Sequence, residues 1–151
     1  MNGMELVGKC GLYCGACNIY RAERDNPEWR KRVAERFNCR VEQVRCEGCG
    51  ALTPQCWGYD CKIVTCLREK GYEYCCECPE YEAGSCEKFE KIAKGYLEEG
   101  VDVRASLAMI KESKVVEWLR LSEERFTCKS CGKPTSEGKA ECHHCGAKIA
   151  L

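Results

Sequence analysis

The chain has 151 residues, 24 basic and 24 acidic side chains for a formal net charge of zero, seventeen cysteines and two histidines. That length allows one ordinary domain or two small ones, no apolar run approaches the ~20 residues of a membrane span, and a neutral chain has no overall basic field to draw it to nucleic acid or an anionic membrane. The cysteine content predicts an architecture held by sulfur, and because Met1 to Lys9 lack the apolar stretch of a secretory signal, reduced thiols bound to metal in the cytoplasm are expected instead of disulfides.

Cys10-Gly-Leu-Tyr-Cys14-Gly-Ala-Cys17 opens the chain with C-x3-C-x2-C spacing. Three clustered thiolates hold zinc or an iron-sulfur cluster equally well. Radical S-adenosylmethionine enzymes use the same spacing, but on a much longer partial barrel of alternating strands and helices that has no counterpart here. Asn26 and Pro27 then predict a helix start, as cap and first helical residue, with Trp29, Val33 and Phe37 along one apolar stripe and Arg30, Lys31, Arg32 and Arg36 on a solvated face.

Cys46-Glu-Gly-Cys49 reads as a metal knuckle, a unit that normally joins a second pair elsewhere in the chain. Cys56, Cys61, Cys66, Cys75, Cys78 and Cys86 offer several ways to complete tetrahedra. If residues 60–70 are helical, Cys61 and Cys66 sit about 140° apart around the axis and should not meet at one ion unless one lies at a frayed end. Cys39, which has no nearby pair, and Cys76, wedged between Cys75 and Cys78, are expected to be non-ligands. A helix over Cys86 to Leu97 should turn Phe89, Ile92 and Leu97 inward. The acidic excess of residues 51–100, ten carboxylates against six cations, reads as a solvated face.

Residues 100–125 read as two short helices, capped by Asp102 and Ser113, with Trp118, Leu119 and Leu121 giving the second an apolar contact. Cys128-Lys-Ser-Cys131-Gly and Cys142-His-His-Cys145-Gly then repeat one pattern fourteen residues apart. Two such knuckles predict a short β zinc ribbon with Cys128, Cys131, Cys142 and Cys145 as ligands. A segment of 26 residues cannot bury a core of its own, so metal should supply most of its folding free energy. His143 and His144 are expected to be exposed loop residues, because four thiolates already complete the shell. No histidine precedes them, which excludes a Cys-His nucleophilic pair within residues 1–125.

The order of CGLYCGAC, CEGC at 46–49, CWGYDCKIVTC at 56–66 and KGYEYCCECPEY followed by Cys86 resembles a widespread prokaryotic family of small cysteine-rich proteins known only as a domain of unknown function. The resemblance spans about residues 8–98, and some relatives carry a zinc ribbon after a similar linker. One departure is the Glu-Tyr-Glu-Ala-Gly-Ser stretch between Pro79 and Cys86, where the family has a short Pro-Cys ending. The resemblance implies an intracellular, metal-bound protein and supplies no activity.

Together these readings predict a small, metal-stapled, cysteine-rich protein, mainly α with irregular loops and ending in a short β zinc ribbon. Residues 1–99 would form a cysteine-rich metal-binding domain, 100–125 a helical connector and 126–151 the ribbon. The expected ligands are Cys10, Cys14, Cys17, Cys46, Cys49, Cys56, Cys61, Cys66, Cys75, Cys78 and Cys86 in the first domain, and the four ribbon cysteines. The expected function is non-catalytic zinc binding with a protein partner. The alternative is an iron-sulfur redox or electron-transfer protein built on Cys10, Cys14 and Cys17. Lys129, Lys133, Lys139 and Lys148 beside Phe126 give nucleic acid a weaker claim, since a filled four-thiolate site cancels their excess charge and no aromatic ladder accompanies them. No membrane partner is expected.

Overall fold

In the computed structural model, which describes residues 3–149, the α-helices are α1 (Asn18–Asp25), α2 (Pro27–Arg36), α3 (Lys62–Lys70), α4 (Pro79–Glu82), α5 (Glu87–Glu98), α6 (Val103–Lys111) and α7 (Val115–Arg125). Between them the chain makes single turns of 3₁₀ helix, three of which begin on a cysteine: Cys14–Ala16, Cys49–Ala51 and Cys75–Glu77. None of the described helices is long and apolar enough to cross a membrane.

Helix starts follow the sequence where a side chain can cap them. Asn26 Oδ1 accepts the Trp29 amide at 3.0 Å with Pro27 in the first turn, and Asp102 accepts the amides of Arg104 and Ala105, both at 3.1 Å. Residues 100–125 do form two helices, but Ser113 does not cap the second. It takes a left-handed φ of +63° and donates its amide to Ile110, closing α6, while Lys114 occupies the cap position of α7 without a side-chain bond.

Two apolar clusters form the core. The larger joins Val7 and Leu12 to Ile63 and Leu67 of α3, Phe89 of α5, Val103, Leu107 and Ile110 of α6, and Trp118 and Leu119 of α7. The two helices after residue 100 therefore bury their apolar faces in the same core as α3 and α5. The smaller cluster packs Ile19 and Ala22 of α1 on Trp29, Val33 and Ala34 of α2, with Val44, Cys46 and Cys56 beneath. Two stripe positions turn outward: Phe37 caps the end of α2 and lies against Trp57 at 5.0 Å between ring centres, and Leu97, in the last turn of α5, is exposed.

The expected β ribbon is not seen. Among the described residues there are no strands, only isolated antiparallel bridges at Val7–Tyr13, Thr127–Pro134 and Glu141–Lys148. The physical reason lies in the flanking amides and in the path of the chain. The amides flanking each bridge, Cys128 and Thr135 at the first and Cys142 and Ile149 at the second, already pair within their own knuckle, and the chain beyond Pro134 leaves the first knuckle to dock on the body, where the Glu137 amide donates to the Ala16 carbonyl at 2.9 Å. Each knuckle is closed by one bridge, and the two bridges do not pair with each other.

Candidate metal centres

The two C-terminal knuckles repeat each other bond for bond. Cys128 donates its amide to Lys133 and Gly132 donates to Cys128, both at 2.9 Å, while Cys142 donates to Ala147 and Gly146 to Cys142, both at 2.8 Å. Gly132 and Gly146 close these turns at φ of +75° and +76°, a conformation in which a Cβ is strained. The turns bring Cys128, Cys131, Cys142 and Cys145 together, all four sulfurs within 4.8 Å of one another. Across the group Cys128 Sγ lies 3.7 Å from Cys145 Sγ, and Cys131 Sγ lies 3.8 Å from Cys142 Sγ.

The electrostatics of this group suit a cation. Amides of Cys131 and Ser130 aimed at the Cys128 sulfur hold its thiol down to about 6. Cys131 receives the Lys133 amide, yet desolvation and hydrogen bonds shared with the other sulfurs push it up to about 11. Four sulfurs this close cannot all ionise beside one another unless a positive ion sits among them. The Cys group can therefore hold a metal ion.

Ten of the thirteen cysteines of the body line two cavities. Cys66, Cys75, Cys78 and Cys86 line a small one of about 20 Å³ beneath Ile63, Leu67 and Phe89. Cys66 projects from α3, Cys75 opens a 3₁₀ turn, and Cys78 and Cys86 occupy the residues just before α4 and α5. Lys70 sits at its edge, with Nζ 3.7 Å from Cys78 Sγ and 3.2 Å from Glu80 Oε1, a counter-charge for thiolates. Burial pushes the Cys75 thiol up to about 12, and neighbouring Cys86, Cys66 and Cys78 add to the effect. Desolvated sulfurs of this kind ionise readily only against a cation.

Cys10, Cys14, Cys17, Cys46, Cys49 and Cys61 line a second cavity of about 630 Å³, whose remaining wall includes Trp29, Tyr96 and Glu137. The two Cys-Gly-Ala turns meet there: the Cys49 amide donates to Cys14 Sγ at 3.3 Å. The Cys14 thiol hydrogen-bonded to Cys49 draws Cys49 down to about 7, while that same bond and burial hold Cys14 protonated. Burial pushes Cys17 up to about 12 and raises Cys10 further. Gly48 lets this knuckle approach the N-terminal turn, since a Cβ there would lie 2.0 Å from the Glu5 carbonyl oxygen.

Cys61 and Cys66 thus line different cavities, although Cys61 is the extended residue just before α3 and the angular argument for a helix over 60–70 does not apply to it; Cys39 and Cys76 line neither. Cys56 packs with Cys46 in the smaller core cluster and opens on a separate surface groove beside Arg45 and Trp57. Its burial is outweighed by hydrogen bonds from the Thr53 hydroxyl and amide, which lower its thiol. Among the described residues, the body sulfurs do not draw together as tightly as the C-terminal four.

Sequence reasoning missed the surroundings of the histidines. His143 and His144 are not exposed loop residues: their side chains keep 12% and 16% of their surface and converge on Asp25, at the end of α1. His143 also packs on Trp29 at 4.8 Å between ring centres, and Lys139 Nζ lies 5.1 Å from the same ring. Only the unusual His-His pair inside a knuckle hinted at this, and nothing local pointed to Asp25 as its partner.

A helical body with sulfurs gathered around two cavities, followed by a convergent four-cysteine group, defines a cysteine-rich protein equipped to hold metal. The chain belongs to the family described as protein of unknown function (DUF3795), whose profile matches residues 6–91. The match includes all thirteen body cysteines and ends before α6, α7 and the C-terminal knuckles. No curated protein and no solved structure matches the chain.

Proposed function

We propose that this is a structural zinc protein of the cytoplasm that does no chemistry at its metal and serves as a platform for a protein partner. The observation that carries the reading is the sulfur spacing of the C-terminal group. A tetrahedron of thiolates with Zn–S bonds of about 2.3 Å has edges of ~3.8 Å; two of the six Sγ–Sγ separations are 3.7 and 3.8 Å, and all six lie within 4.8 Å. Four thiolates leave no open position for water or substrate, so an ion there stabilises structure and does not act as a Lewis acid. The Cys66, Cys75, Cys78 and Cys86 group is the second zinc site of this reading. That all seventeen cysteines are free thiols supports a reducing compartment.

For the partner, the exposed Phe37–Trp57 pair is the apolar feature that favours protein over nucleic acid, since the four lysines of the knuckles are offset by the thiolates they surround. A second reading rests on the larger cavity. Six cysteines around about 630 Å³ suit a multi-atom iron-sulfur cluster better than a single ion, with Cys10, Cys14 and Cys17 as its first three ligands. Metal and acid-labile sulfide content per chain, with the visible spectrum, separates the two on protein purified without oxygen. Several zinc ions and no colour support the zinc reading; iron with sulfide and a brown chromophore replace it with the cluster.

A further inference from the structure

We propose that Asp25, His143 and His144 form a separate divalent metal site with an open coordination position, next to the four-cysteine group but independent of it. The donors come from opposite ends of the chain, 118 residues apart. Asp25 Oδ2 lies 2.8 Å from His143 Nε2 and 3.4 Å from His144 Nε2, and the three side chains offer donor atoms that are all within 4.8 Å of one another. All three are largely enclosed, with 12%, 12% and 16% of their side-chain surface remaining.

Hydrogen bonding alone accounts poorly for this arrangement. It satisfies His143 Nε2 through Asp25, but leaves His144 Nε2 buried without a hydrogen-bond partner although it faces the same carboxylate oxygen. An ion held between the two Nε2 atoms and Oδ2 gives that nitrogen a partner. Two imidazoles and a carboxylate are the donor set that zinc and cobalt accept, and three protein donors leave a fourth position for water. The Trp29 ring packed on His143 fixes one imidazole in place.

A competing charge sets the affinity. Arg21 places its guanidinium 3.6 Å from the same Asp25 oxygen, so part of the carboxylate's charge is already balanced. The site therefore binds its ion less tightly than the thiolate group, and the ion exchanges first. Metal there would also tie the second knuckle to α1.

The test is a Co(II) titration of the intact chain after a mild chelator has removed exchangeable metal and left thiolate-bound ions in place. The wild-type protein should take up about one equivalent of Co(II), giving weak visible bands without sulfur-to-cobalt charge transfer. Asp25→Asn, which is nearly isosteric and keeps an acceptor for His143, and His144→Ala should each lose this uptake while retaining the thiolate-bound metal, with an unchanged near-ultraviolet circular dichroism signal from the tryptophans. Uptake equal to wild type in either variant, or no such uptake by wild type, overturns the proposal. A charge-transfer band in its place reports vacant thiolate sites, so the thiolate reading is judged separately, and wild-type uptake showing only that band also counts against the Asp25 site.

Discussion

The C-terminal knuckles and the cysteine-rich body use the same residue in opposite structural settings. In residues 126–149 the four sulfurs converge within 4.8 Å, yet the segment contributes hardly any apolar side chains to a core. In the body the sulfurs are spread around two cavities and a true apolar core surrounds them, with Phe89 and Leu107 almost completely buried. Where a core exists, cysteines act partly as small apolar residues that position a site. Where none exists, the site must hold the fold.

The largest predicted effect breaks that contrast most directly. Cys128→Ser should abolish metal binding by the knuckles and unfold them, because structural zinc supplies on the order of 10 kcal/mol to such modules, while the helical signal of the body persists. Protease resistance of residues 126–149 checks this, and a variant that keeps its ion and its fold contradicts it. Next in size, Phe89→Ala should destabilise the body by about 3–5 kcal/mol in urea unfolding and leave the knuckle ion in place. Loss of that ion would mean that the two regions are one cooperative unit.

A smaller effect sharpens the junction between them. Glu137, on the loop between the knuckles, is pushed up to about 8 by burial, with Glu99 adding to it. The folded protein therefore retains a proton that the unfolded chain has released above its ordinary carboxylate pKa of about 4.3. The stability tied to that proton is fully present below about 4.3 and is lost as pH rises through about 8. The unfolding free energy of wild type should fall relative to Glu137→Gln by about 1.4 kcal/mol per pH unit between those values, and the gap should stay constant at higher pH. A gap that does not change with pH would show that the loop is not buried in solution. The smallest effect is expected for Cys39→Ser, which lines neither cavity and should change stability by less than about 0.5 kcal/mol without altering metal content.

The same contrast explains what could be read from sequence. The C-terminal ligand set was legible because both pairs lie within eighteen residues and each knuckle's geometry is local: two residues between sulfurs and a glycine after the second. The caps at Asn26 and Asp102 were legible for the same reason, since a cap bonds residues two or three positions away. The grouping of body cysteines was not, because it depends on how α3, α4 and α5 pack: Cys66 and Cys86, twenty residues apart, line one cavity together with Phe89 of the core. The β ribbon was misread because the spacing of knuckles fixes their turns but not whether the flanking segments pair. Here the docking of Glu137 on Ala16 diverts the chain first. Asp25 was invisible to any local argument, being 118 residues from His143.

Zinc-edge X-ray absorption on the intact chain, purified without oxygen, tests the central claim most directly. The account predicts a metal shell dominated by sulfur at about 2.3 Å, with a minor nitrogen and oxygen contribution. A shell of nitrogen and oxygen alone, or no zinc edge from the protein, would contradict it.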